Sequence, residues 1–185
     1  ASSNPFLLLV SFKDNEASYD GGGIYNDTNC NLELFNTSFI SNSAIRNGGG
    51  FYSDEICTTL IVNSTFSGND ANGGGGIYNS GESHSSITFS TLSENDNAAI
   101  CNLNSSISLS NSIVWGNTGG SIINLEDSTV SVEYSDIEGE LYAGTGNISE
   151  DPLLGPLDYY NAVSYTHLRA HETVLDLVCR LLLEK

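Results

Sequence analysis

GGGIYN at 21–26 returns as GGGFYS at 48–53 and GGGIYN at 74–79, then loosens to AAICN at 98–102 and GGSIIN at 119–124. Aligned on Tyr25, Tyr52, Tyr78, Cys101 and Ile123, the copies stand 27, 26, 23 and 22 residues apart. A phosphate-binding loop would need GxxxxGK[ST], and no Lys-Ser/Thr pair follows these glycines. A dinucleotide fingerprint occurs once and opens a helix, whereas this stretch recurs and leads each time into a strand-like run. The glycines are therefore read as bends where a side chain would collide with neighbouring copies.

A second motif keeps step with the first. It reads FNTSFISN at 35–42, VNSTFSGN at 62–69 and FSTLSEN at 89–95, and loosens to LSNSIVWGN at 109–117 and VEYSDIEG at 132–139. Phe12 lies 27 residues before Phe39, so the start of the chain cuts into a still earlier copy. Two motifs in phase define a repeat protein. Leucine-rich spacing is absent, as is the GGxGxD of calcium-binding rolls. Short apolar and Ser/Thr runs broken by Asn, Gly and Ser fit about three short strands per coil. A coil of this kind buries its apolar face only by stacking on another, with like residues about 4.8 Å apart. The expectation is an all-β, right-handed parallel β-helix of about five coils, a truncated rod roughly 24 Å long.

Two interior columns follow: Ile24, Phe51, Ile77, Ile100 and Ile122, and Phe39, Phe66, Leu92, Ile113 and Ile137. In SSITFST, SSISLSN and STVSVEY, the pairs Ile87 and Phe89, Ile107 and Leu109, and Val130 and Val132 are expected to point inward. Glu33 falls in the slot given to Leu60, Ile87, Ile107 and Val130, so that coil either slips by one residue or opens its core. Asn42, Asn69, Asn95 and Asn117 are placed at turns, where their amides bond backbone groups and the residues tolerate left-handed conformations.

Paired GG[AG][ILFV] and FxxN motifs resemble the repeats of the chlamydial polymorphic outer-membrane proteins. They are also similar to the wider set of pectin-lyase-like β-helix proteins of bacterial surfaces. The residues that carry this are Gly21–Ile24, Gly48–Phe51 and Gly74–Ile77, with Phe39–Asn42, Phe66–Asn69 and the variant Leu92–Asn95. GNISEDPLLGPLDY at 146–159 looks like the segment that closes such arrays, commonly followed by a surface anchor. The resemblance covers about residues 11–159. It implies an extracellular or outer-membrane location in a bacterium and a role in adhesion or display, with carbohydrate-active enzymes on the same fold as the alternative. The organisation expected is a β-helix fragment over 1–161, with a repeat array at about 11–145, a closing segment at 146–161, and the anchoring region missing.

From Val163 the composition shifts. One codon choice for VSYTHLRAHET resembles the transposon-end adapter of sequencing libraries, and LVCRLLL resembles its flow-cell end. Residues 163–185 are accordingly read as an adapter-derived artefact, although the second half would also suit a short amphipathic helix. His167, His171 and Cys179 are not offered as a metal site.

The formal charge of −18, from 5 basic and 23 acidic residues, argues against nucleic acid, anionic membranes and polyanionic substrates. FLLLV at 6–10 is too short to span a bilayer, and fits a buried first strand or the tail of a signal peptide. Before residue 163 the only cations are Lys13 and Arg46, in different coils, which is poor support for a lyase. A glycosidase needs two carboxylates about 5–9 Å apart, but most acids here lie in irregular loops. His84 stands alone before the tail, which leaves triads and zinc sites without partners. No catalytic, cofactor or metal site is assigned, and the one metal reading is a loosely held calcium ion where Asp70 and Asp96 stack. Cys30 and Cys57 stack at a separation compatible with a disulfide, and two free thiols fit equally; Cys101 takes the tyrosine slot. Tyr25, Tyr52 and Tyr78 point outward, either to grip a glycan or partner surface protein or to support one another along the sheet.

Overall fold

The computed structural model describes residues 3–139, 141–160 and 163–168. Its chain winds as a right-handed parallel β-helix of about five turns. Sheet I stacks Phe6–Leu8, Asn31–Phe35, Thr58–Val62, His84–Thr88, Ser106–Ser110 and Thr129–Glu133. Sheet II stacks Ser11–Lys13, Ser38–Ile40, Thr65–Ser67, Thr91–Ser93, Ile113–Trp115 and Asp136–Ile137. Sheet IV stacks Ile24–Asn26, Phe51–Ser53, Ile77–Asn79, Ile100–Leu103 and Ile122–Leu125.

Three strands per coil holds only for the later coils. The first three coils insert a short sheet III, made of Glu16–Ala17, Ser43–Asn47 and Asp70–Gly73. Phe51 follows Asn42 by nine positions, but Ile100 follows Asn95 by only five. The drop in repeat length is the loss of this side.

The first interior column is in register as expected: Ile24, Phe51, Ile77, Ile100 and Ile122 pair in sequence. The second runs Phe12, Phe39, Phe66, Leu92, Val114 and Ile137. Phe39 and Phe66 are fully buried and stack with centroids 4.5 Å apart. Complete burial of each such side chain is worth about 1.5–3 kcal/mol. Val114 therefore replaces Ile113, which pairs with Thr91 on the outer side of sheet II and is buried there.

Sheet I corrects two further expectations. Leu34, Ile61, Ile87, Leu109 and Val132 share the inward column, while Glu33 pairs with Leu60 and then Ser86 on the outside. No slip is needed, because Leu34 fills the core at the same level. Phe89 does not face inward beside Ile87. It lies past the strand end, exposed, at φ 53°. That position is a column of its own: Leu9, Asn36, Asn63, Phe89, Asn111 and Tyr134 all have φ between 49° and 57°. One left-handed residue per coil turns sheet I into sheet II, and asparagine takes half of these sites because it tolerates that conformation.

The next residue in each turn builds a hydroxyl ladder. Backbone N–H groups of Thr37, Ser64, Ser90 and Ser112 donate to the hydroxyls of Ser64, Ser90, Ser112 and Ser135 at 3.1–3.2 Å. The asparagine ladder does the same between sheets II and III. Asn42, Asn69 and Asn95 each donate from Nδ2 to the next asparagine's Oδ1 at 2.9 Å and to a backbone carbonyl one coil back. Their bonding is as expected. The left-handed φ instead falls on the residue before, at Asp14, Ser41, Gly68, Glu94 and Gly116.

The glycine stretch marks the bend into sheet IV. A Cβ on Gly49 would collide with the carbonyl oxygen of Asp70 and lie 2.6 Å from that of Gly75. Gly48 adds the left-handed conformation, at φ 64°. Ala98 and Ala99 take the equivalent sites where the coil shortens.

The array closes on Asn147 and Ile148. Asn147 Oδ1 accepts from Ser135 N–H, and Ile148 bridges Asp136 in parallel. Beyond it, Leu154–Tyr160 pairs antiparallel with Val163–Leu168, the departure from the parallel pattern of every other sheet described, and the second of these strands lies against Thr65–Ser67. The proposed adapter segment continues past this strand, so His171, Cys179 and the amphipathic stretch fall outside the described residues.

Candidate functional site

Sheet IV places Tyr25, Tyr52 and Tyr78 on its outer face, one per coil, because each follows an inward Ile or Phe. The rings stack nearly parallel, 4.9 Å and then 5.4 Å apart. Cys101 continues the column as a free thiol, with Leu103 and Ile123 beside it. Outward placement does not mean exposure: Tyr52 and Tyr78 are 8% and 7% exposed, and only Tyr25 shows 47%. The column is a second small apolar cluster outside the main core, and mutual support along the sheet accounts for two of its three tyrosines.

Acidic turns rim this column. The Thr28 hydroxyl lies 2.7 Å from Asp27 Oδ1 and 2.9 Å from Glu55 Oε2, tying two coils together. Ser80 donates to Asp54 at 2.6 Å, which leaves its oxygen to accept from the Tyr52 hydroxyl at 2.9 Å. Burial pushes the Tyr52 and Tyr78 hydroxyls up to about 12. Tyr25 is also raised, by burial first and then by Asp27, Asp54, Asp20 and Glu55. All three phenols are thus held protonated, and the Tyr52 hydroxyl serves as a hydrogen-bond donor to Ser80.

A different place gathers carboxylates. On the outside of sheet II, chain 151–157 returns across the strands and walls a groove of about 440 Å³. Ser67, Ser93, Glu94, Trp115, Asp151 and Leu154 line it. Trp115, the one tryptophan of the chain, ends its strand facing out. Ser67 reaches Glu94 Oε2 at 3.4 Å, and Asp151 Oδ1 accepts from Leu153 N–H at 2.9 Å. The sequence reading did not single out Trp115 or the placement of Glu94 and Asp151 along one groove. The return of 151–157 is a long-range event with no local periodic signal.

The other residues considered from sequence stay apart. Lys13 lies 3.8 Å from Asp14 on sheet II, and Arg46 sits over the Tyr19 ring at 4.8 Å on sheet III. His84 Nδ1 contacts the Ser106 hydroxyl at 2.9 Å on sheet I, away from both carboxylates of the groove. Asp70 and Asp96 do sit at matching levels, since their N–H groups donate to Asn42 and Asn69. Asp96, however, is engaged by the Thr118 hydroxyl and Asn97 N–H, which hold its carboxyl below the usual range. Among the described residues, no group of three or more His, Cys, Asp and Glu side chains is placed to hold a metal. Cys30 and Cys57 occupy adjacent coils as free thiols, with Cys30 N–H directed at Cys57 Sγ at 3.4 Å and Cys30 Sγ 2.9 Å from the Asp27 carbonyl.

Asp136, at the closing end of the array, is shifted in the opposite direction to Asp96. Burial raises its carboxyl to about 6, assisted by Glu150 and Asp151 and opposed by the Glu150 N–H that it accepts at 3.2 Å. An unfolded aspartate titrates near ~3.9. Between these values the folded chain holds the extra proton, so this group favours folding as pH falls from above 6 towards 4 and opposes it above 6. Asp136→Asn is expected to raise the melting temperature at pH 7.5, with the gain shrinking by pH 4.5 and vanishing below about pH 4. Thermal unfolding of both proteins across that range checks it, and a gain independent of pH would contradict the assignment.

Residues 9–27 match the repeat model of the Chlamydia polymorphic membrane protein family. The matched unit holds Phe12 to Asn15 as an FxxN and Gly21 to Ile24 as the glycine motif, so it spans sheets II, III and IV of the first coil. No curated protein and no solved structure matches the chain. The chain is a parallel β-solenoid, loosely linked to that surface-protein repeat family through this one short stretch.

Proposed function

We propose that this β-helix is a non-catalytic scaffold that displays a variable surface for adhesion at the outside of a bacterial cell. The observation that carries the reading is how the repeat divides its residues. The recurring groups point inward or into ladders: Phe39 and Phe66, Phe51 and Ile77, Asn42, Asn69 and Asn95. The outward column of sheet I instead runs Phe35, Val62, Thr88, Ser110 and Glu133, half-buried to exposed, changing chemistry from coil to coil at one register. A frame held constant under a varied outer face suits display. The short match to a surface-protein repeat supports the same location.

A glycan or a surface protein is the partner class that such a face serves. Beads coated with the purified chain are expected to bind cultured cells or a glycan array, and soluble chain should compete. Absence of retention on both would overturn adhesion.

The groove favours one alternative, a glycan-active enzyme with Trp115 as platform and Glu94 and Asp151 as acid and base. The scaffold reading predicts no reducing-sugar release from a polysaccharide panel. Release that is abolished by both Glu94→Gln and Asp151→Asn would replace it with the enzyme.

A further inference from the structure

The inner side of sheet IV ends in a second polar column, Asn26, Ser53, Asn79, Asn102 and Asn124. Its later part is a complete ladder. Asn79 Nδ2 donates to Asn102 Oδ1 at 2.9 Å, and Asn102 Nδ2 to Asn124 Oδ1 at 2.8 Å. Around the inner corner, the Ser85 hydroxyl donates to Asn79 Oδ1 at 2.7 Å. Thr59 pairs with Ser85 in sheet I, so Thr59 stands to Ser53 as Ser85 stands to Asn79.

Ser53 carries a hydroxyl where asparagine carries a longer carboxamide, and its neighbours register the difference. Asn26 Nδ2, Ser53 Oγ and Thr59 Oγ1 are buried side-chain atoms without a protein partner, on residues 6%, 0% and 0% exposed. They come from three successive positions around one corner: the coil below, the short residue itself, and the strand beyond. An unpaired buried donor or acceptor costs about 1–3 kcal/mol, so three at one corner call for a common partner. That partner must accept from an amide N–H and exchange hydrogen bonds with two hydroxyls. A cation cannot accept from Asn26, and an anion is opposed by a net charge of −18. Water satisfies all three, and three bonds is the usual complement of a buried water. The carboxamide that separates Ser from Asn is also comparable to one water's share of volume, about 30 Å³.

We propose that Asn26, Ser53 and Thr59 form an internal hydration site whose single ordered water replaces the carboxamide of a ladder asparagine. The water joins the first three coils along the inner corner of sheets IV and I, as Asn79 and Asn102 join the later ones directly.

Water-selective ROESY on the full chain tests this. A long-lived cross-peak from water to the Asn26 side-chain amide is expected. Ser53→Asn supplies Oδ1 to Asn26 and Thr59 and Nδ2 to Asn79; it should abolish the peak and raise the melting temperature by about 2–4 °C. Thr59→Val keeps the shape and removes one partner; it should weaken the peak and lower the melting temperature by a similar amount. No water cross-peak in the unaltered chain would overturn the site, whatever either variant does. So would a peak left unchanged by Thr59→Val.

Discussion

Asn69→Ala is expected to lower stability by about 3–5 kcal/mol, roughly 6–20 °C in melting temperature for a chain of this size. The side chain accepts from Asn42 N–H at 3.0 Å and donates to the Phe39 carbonyl at 2.9 Å. It also sits between Asn42 and Asn95 in the ladder. Alanine leaves the Asn42 N–H unpaired and removes the amide bond to the Phe39 carbonyl where no solvent reaches, since Asn69 is fully buried. Asp70, the next residue, is exposed, and Asp70→Ala should change stability by no more than about 0.5 kcal/mol. Thermal unfolding followed by circular dichroism checks the pair. Equal losses at 69 and 70 would show that the ladder carries no special share of stability.

Gly49→Val should act more severely, and Gly49→Ala nearly so. The atoms that a Cβ meets are backbone oxygens of Asp70 and Gly75 from the coil above, not side-chain tips that can swing away. Relief requires the coils to separate, which breaks the bonds from Gly49 N–H to the Gly74 carbonyl and from Gly50 N–H to Gly75. The cost is placed above about 4 kcal/mol, in the range reserved for disrupted backbone packing. Soluble yield and melting temperature are the readouts. Ala98 provides the contrast, because a Cβ is already buried there. Ala98→Gly is expected to cost only about 0.5–1 kcal/mol. A Gly49→Ala protein melting within about 2 °C of the unaltered chain would remove the structural role given to the glycine motif.

These residues were legible from sequence because they repeat. Gly49, Phe66 and Asn69 recur at the coil period, and recurrence identifies a column without knowledge of its contacts. The errors fall where that signal is degenerate. Ile113 and Val114 are adjacent and both apolar, and both are buried, since the outer face of sheet II is covered there. Pattern alone cannot choose between them; register does. Phe89 looked inward because it continues the alternation of Ile87, but the strand ends at Thr88 and the turn column reverses it. Sheet III escaped notice because Ser43–Asn47 has no clean alternation and the later coils omit it.

The surface was less legible than the core, for a physical reason. Alternation correctly put Tyr52 and Tyr78 on the outer face, yet whether an outer side chain is covered depends on its neighbours in other coils. The groove at Trp115 depends on chain more than thirty residues further on returning across sheet II, which no local periodicity encodes.

The central claim is in-register parallel stacking at the coil period. It is tested most directly by backbone NOE connectivities in the isotope-labelled chain. The account predicts cross-strand contacts from Ile87 to both Ile61 and Leu109, and from Phe66 to both Phe39 and Leu92. Contacts that instead pair Ile87 antiparallel with the strand next to it in sequence would contradict the β-helix.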